Sequence, residues 1–81
     1  MSENREKYTK AFIESFSLDP TIDVSTLEFQ GIPEWDSVGH MTLVATIEDT
    51  FEISLETDDI VDFSSYSKGK EILSKYSISI D

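Results

Sequence analysis

The sequence predicts an all-α fold: a small four-helix bundle of three longer helices and one short, with a long structured loop between helices one and two. Three observations predict it. Apolar residues recur at helical spacing, as Tyr8, Phe12 and Phe16 and again as Leu43, Val44, Ile47 and Phe51, the pattern of a buried helix stripe. Helix breakers are scarce, with three glycines and two prolines in 81 residues. Polar segments with capping residues separate the stripes. A chain of this length builds one core, so residues 1–81 read as a single domain.

Each element follows in order. Tyr8, Ala11, Phe12, Ile13 and Phe16 give a first helix over residues 3–16, closed by Ser17 to Pro20. The loop from Ser17 to Trp35 exceeds the ~12–15 residues usual for unstructured connections. It carries Ile22, Val24, Leu27, Phe29, Ile32 and Trp35, a density that predicts a crossover docked on the bundle. In the second helix Leu43, Val44, Ile47 and Phe51 form the core face, and Val38, Met41 and Ala45 lie to its side. Glu48, Asp49 and Glu52 crowd its C-terminal end, where the helix dipole disfavours acids. That placement hints at a role outside folding. The run ETDDIVDF predicts one to two helical turns, starting near Glu56 or Thr57 with Asp58 and Asp59 in the first turn. Finally SSYSKGKEILSKY predicts a last helix capped by Ser64 or Ser65, with Tyr66, Ile72, Leu73 and Tyr76 facing inward. Gly69 inside it costs about 1 kcal/mol relative to Ala.

Composition narrows the function. Without cysteine there is no disulfide, thiolate metal site or cysteine nucleophile. The polar start MSENREKYTK has no secretory h-region, and no apolar run approaches the ~20 residues that span a bilayer. A soluble, cytoplasmic protein is expected. Net charge is −11, and all six bases lie at the ends: Arg5, Lys7, Lys10, Lys68, Lys70 and Lys75. Thirteen of the 17 acids fall between Ala11 and Ser67. Such a field repels nucleic acid and anionic lipid and steers basic proteins inward.

The stretch EWDSVGHM, residues 34–41, opens the second helix. Asp and Ser are both preferred N-caps, but one cap suffices, which leaves the other residue over. Asp36, Ser37 and His40 are the residue types of nucleophilic catalysis, with Ser37 and His40 one helical turn apart. The chain lacks a G-x-S-x-G elbow and the length for a shaped cleft. It is not expected to be an enzyme. Asp58, Asp59 and Asp62 lack the alternation and glycine of a calcium loop, and one His without Cys does not make a zinc site.

In context, Asp36-Ser37-Val38 and the run LVATIEDTFEISLETDDIVDF resemble the acyl carrier protein family, loosely over nearly the whole chain. Members carry Asp-Ser-Leu at the start of the second helix of a four-helix bundle. The resemblance implies that Ser37 receives 4′-phosphopantetheine covalently from coenzyme A, and that the arm's thiol carries acyl groups as thioesters. It implies that Asp36 assists attachment by helping to hold the transferase's metal ion, and that the carrier itself is a substrate of a phosphopantetheinyl transferase. It implies docking through Val38, Met41, Ala45, Glu48, Asp49, Glu52, Asp58 and Asp59 onto basic patches of acyl- or aminoacyl-activating and transferring enzymes. The carrier is then a monomer without nucleic acid or membrane insertion. Gly39, His40 and Thr42 stand where members of primary fatty acid synthesis carry acids or other residues, and Trp35 replaces a small residue. The E-W-D-S-x-G-H pattern resembles stand-alone carriers of dedicated biosynthetic pathways. His40, one turn from Ser37, is expected to pair with a phosphate there when protonated. The alternative reading is an acidic interaction module, an adaptor or inhibitor without a prosthetic group.

Overall fold

The computed structural model describes residues 3–80 and has the order α1 (Glu3–Phe16), a 3-10 turn (Val24–Thr26), α2 (Ser37–Phe51), α3 (Thr57–Asp62) and α4 (Tyr66–Ser74). These helices run 14, 15, 6 and 9 residues, so the bundle of three longer helices and one short is what the chain forms. The described residues hold no strand, only an isolated antiparallel bridge between Glu28 and Ser65. No helix among them is long and apolar enough to cross a membrane.

The core follows from the two stripes. Tyr8, Ala11, Phe12 and Phe16 of α1 are buried, as are Leu43, Val44 and Ile47 of α2. Burying a side chain of this size stabilises by about 1.5–3 kcal/mol, so the α1–α2 contact dominates the fold. Phe51 packs only partly against that core. Tyr8 donates its hydroxyl proton to the Tyr66 carbonyl at 2.6 Å, and burial pushes its phenol well above the ordinary tyrosine value. It therefore stays a neutral donor.

The long loop is structured, as its apolar density predicts. Asp23 accepts from Ser25 N–H at 3.0 Å and caps the 3-10 turn. Backbone bonds Phe29 N–H to Ser64 O (2.8 Å) and Tyr66 N–H to Leu27 O (3.0 Å) tie it to the entrance of α4. Val24, Leu27 and Trp35 are buried and Ile32 partly so, whereas Ile22 and Phe29 stay at the surface. Trp35 is fully enclosed, with ring centroids 5.5 Å from Phe12, 5.4 Å from Phe16 and 6.5 Å from Phe63.

Ser65 caps α4 by accepting from Lys68 N–H at 3.0 Å. Tyr66, Gly69, Ile72 and Leu73 are the buried face of that helix. Gly69 has a packing reason that its helix propensity hides. A Cβ there would overlap the Tyr8 hydroxyl and the Phe63 ring, so the bare backbone lets α4 close on α1. Beyond α4, Ile80 is buried and the Ser79 carbonyl accepts from Asn4 Nδ2 at 3.2 Å, tying the chain's end to α1.

Gly69→Ala is therefore expected to lower stability by about 1–3 kcal/mol through overpacking, although propensity alone favours Ala by about 1 kcal/mol. Urea unfolding decides the sign, and a gain in stability would contradict the close approach.

Candidate functional site

The start of α2 divides its two capping candidates. Asp36 has extended backbone geometry at the N-cap, and its Oδ1 accepts from Gly39 N–H at 2.8 Å. Ser37 is the first helical residue and exposed. Among the described residues its hydroxyl has no hydrogen-bond partner. The cap is thus made by Asp36 alone, and Ser37 is left over. Gly39 is not slack in the design either. A Cβ there would overlap the Glu34 carbonyl and press on Phe16, so glycine lets the loop's last turn fold against the helix.

His40 is half-buried, and both its ring nitrogens are hydrogen-bonded. Trp35 Nε1–H donates to its Nδ1 at 3.0 Å, and its Nε2 lies 2.8 Å from the Ile60 carbonyl. An indole nitrogen can only donate and a carbonyl can only accept. Nδ1 is therefore the unprotonated acceptor, and Nε2–H donates to Ile60. Both ring nitrogens are thus engaged, so the expected pairing of His40 with a phosphate on Ser37 would require one of these bonds to break. The same geometry leaves Ser37 without a base.

Beside Ser37 lies a groove of about 330 Å³ between α2 and α3. Phe29, Met41, Ile60, Val61 and Phe63 line it, with Ser37, His40 and Ser64 contributing the polar groups. A more open depression of about 470 Å³ near the end of α4 is bounded by Lys70, Glu71, Ser74, Ser77, Ile78, Ser79 and Ile80. The groove beside Ser37 is the one that joins an exposed hydroxyl at a helix start to a mainly apolar lining.

The surface around it is apolar and acidic. Val38 and Met41 are 76% and 54% exposed, and Ala45, Asp49, Glu52 and Asp58 are also at the surface. Two expected docking acids are not free. Asp59 is only 4% exposed, and its carboxylate accepts from Lys75 Nζ and from Tyr76 Oη, the latter at 2.6 Å. It ties α3 to the end of α4, so it is corrected from a docking acid to an anchor. Glu48 is half-buried and turns back to accept from Leu55 N–H at 2.8 Å, which fixes the chain's exit from α2. Conversely Val61, 74% exposed on α3, joins the patch. Six helical residues are too few for periodicity to assign it a face. Glu52 ends α2 at φ 56°, a left-handed conformation that costs a residue with a Cβ about 1–2 kcal/mol.

Set against family models, curated proteins and solved structures, the chain matches none.

Two outcomes follow from this geometry. Asp36→Ala is expected to cost about 1 kcal/mol for the lost cap, while Ser37→Ala stays within about 0.5 kcal/mol of the parent. Equal losses in urea unfolding would contradict the division. The second concerns Asp59, whose carboxyl is held below the ordinary carboxylate range by its bonds from Lys75 and then Tyr76. A depressed value in the fold means stability that is present above the unfolded value, near pH 4, and lost as pH falls through the folded one. Urea midpoints of the parent and Asp59→Asn are therefore expected to converge as pH drops from about 6 to about 3. A gap independent of pH would contradict the anchor.

Proposed function

We propose that the chain is a carrier protein that holds acyl or related intermediates as thioesters on a 4′-phosphopantetheine arm attached to Ser37. It presents them to partner enzymes of a dedicated biosynthetic pathway in the cytoplasm and catalyses nothing itself. The observation that carries this reading is the division of labour at the start of α2: Asp36 alone makes the cap, and the Ser37 hydroxyl is exposed and unpartnered beside an apolar groove. The likeness of Asp36-Ser37-Val38 and its context to the acyl carrier family supports it independently.

The residues present fit such an arm. Ser37 Oγ is accessible to a transferase, and the second oxygen of Asp36 is left over from the cap to approach a metal ion held there. Attachment would join the Ser37 oxygen to the phosphorus nearest the pantetheine, breaking the pyrophosphate bond of coenzyme A so that adenosine 3′,5′-bisphosphate leaves and the serine proton passes to a base of the transferase or to water. The terminal thiol supplies the thioester chemistry when the arm is in place. Tethering raises the local concentration of cargo at each partner, and the groove offers an apolar cargo an exit from water. Val38, Met41, Ala45 and Val61, flanked by Asp49, Glu52 and Asp58, suit an apolar contact ringed by attraction to a basic patch. Partners of that kind are the transferase and acyl- or aminoacyl-activating and transferring enzymes. The carrier works as a monomer, without nucleic acid and without inserting in a membrane.

The same exposed patch favours a second reading, an acidic adaptor or inhibitor with no prosthetic group. Intact mass separates the two. After incubation with coenzyme A, magnesium and a broad-specificity phosphopantetheinyl transferase, the parent is expected to gain one phosphopantetheine and Ser37→Ala none. A folded parent that gains nothing from several transferases would overturn the carrier reading in favour of the adaptor.

A further inference from the structure

The α3 helix is poorly supplied with the usual means of staying in place. Six residues are far below the ~12–15 at which an isolated helix becomes even marginal. Glu56 at its N-cap makes no side-chain capping bond. Its apolar anchoring comes from Ile60, half-buried against the core, and from Phe63, buried at its C-cap, while Val61 stands in solvent. Side-chain hydrogen bonds from elsewhere add to that anchoring. On the side facing α4, Asp59 accepts from Lys75 and Tyr76, and the Tyr76 hydroxyl accepts from Glu56 N–H at 3.0 Å. On the side facing the groove there is one tie. Among the described residues, the bond from His40 to the Ile60 carbonyl is the only hydrogen bond that joins α2 to α3.

That tie is itself braced. The Trp35 indole is wedged among Phe12, Phe16 and Phe63 and cannot swing. Its N–H fixes His40 in the tautomer that donates from Nε2. Phe29 and Phe63 meet the imidazole at 73° and 71°, with centroids 5.6 and 6.2 Å away, and hold the ring plane. A rigid chain of contacts thus runs from the core, through Trp35 and His40, to the backbone of α3. Both ends of the chain border the groove beside Ser37, which His40, Ile60 and Phe63 line together.

We infer that His40 is a positioning residue that clamps α3 to the head of α2 and so holds the apolar groove beside Ser37 in a preformed state. The clamp acts on the unmodified protein. It rests on the carrier reading only for what the groove receives, the apolar part of a group borne on Ser37. A preformed groove binds more tightly than one that must first be ordered, because the ordering cost is already met.

The test uses the unmodified full chain and two substitutions. His40→Phe keeps a ring for Phe29 and Phe63 to pack on but removes both hydrogen bonds. His40→Gln restores one acceptor for Trp35 and one donor for Ile60. Hydrogen exchange is read at the Ile60 amide, which bonds to the Glu56 carbonyl inside α3, against α1 amides as the reference for global stability. Affinity for the neutral apolar dye N-phenyl-1-naphthylamine is read alongside. Relative to α1, Ile60 exchange is expected to rise about tenfold in His40→Phe, and dye affinity to fall by a similar factor, as for two lost hydrogen bonds. His40→Gln is expected to return both towards the parent. In the parent, imidazole nitrogen shifts should mark Nδ1 as unprotonated and Nε2 as the N–H. Unchanged Ile60 exchange in His40→Phe, equal behaviour of the Phe and Gln variants, the opposite tautomer, or no dye binding by the parent would each overturn the clamp. None of these outcomes depends on whether a transferase modifies Ser37, so the clamp and the carrier reading fail separately.

Discussion

The enclosure of Trp35 is the constraint on which the rest of the molecule depends. It is the chain's one tryptophan and is completely buried. It stands at the end of the long loop, one residue before the cap of α2. Its faces and edges meet Phe12 and Phe16 of α1, Phe63 after α3, and His40 of α2. Docking that single side chain decides where the loop ends and therefore where α2 begins. Asp36 then falls at the extended cap position and Ser37 at the first helical one. The indole N–H needs a partner once buried, and His40 supplies it. A packing demand in the core thus reaches the exposed hydroxyl through two residues of backbone and the groove through one hydrogen bond.

Much of this was legible in the sequence because it is governed by local chemistry. The α1 stripe of Tyr8, Phe12 and Phe16, the inward face of Leu43, Val44 and Ile47, and a cap at Asp36 or Ser37 and at Ser64 or Ser65 follow from helical period and the needs of orphan amides. The choice of Asp36 and Ser65 is seen only in the fold. What stayed hidden depends on neighbours distant in the chain. Gly69 reads as a weak point until Tyr8 and Phe63 are seen where its Cβ would lie. Asp59 reads as one of a row of surface acids, and only the return of the chain at Lys75 and Tyr76 withdraws it from solvent. His40 lies one turn from Ser37 in either view. Its direction is set by Trp35 and by Ile60, 20 residues away in sequence, and no local rule reports that. In the candidate site, the sequence singled out Ser37, Val38 and Met41 but not the groove, whose far wall belongs to α3.

Several features of the surface carry a local stability cost. Asp49 and Glu52 stand at the negative end of α2, where each acid is disfavoured by about 0.3–1 kcal/mol. Glu52 also holds a left-handed backbone that glycine would adopt without strain. Val38, Met41 and Val61 leave apolar surface in water within one neighbourhood. Glu48, by contrast, repays its position by binding the Leu55 amide. The exposed apolar residues Val38, Met41 and Val61 lie near Ser37 and the groove, whereas Asp49 and Glu52 stand at the opposite end of α2. The surface of α1 carries an ordinary Lys10–Glu14 pair one turn apart. Those exposed apolar residues are the reason to test the proposed partner surface first on α2 and α3.

The central claim is that the Ser37 hydroxyl, released from any part in the fold, is the point at which the chain bears its cargo. Its most direct measurement is made on protein purified from its own cells, by fragmenting the peptide that contains residues 34–41 in a mass spectrometer. The account predicts the added mass of phosphopantetheine, with or without a thioester-bound group, localised to Ser37. A fully unmodified Ser37 in that material, or the same mass found on another residue, would contradict it.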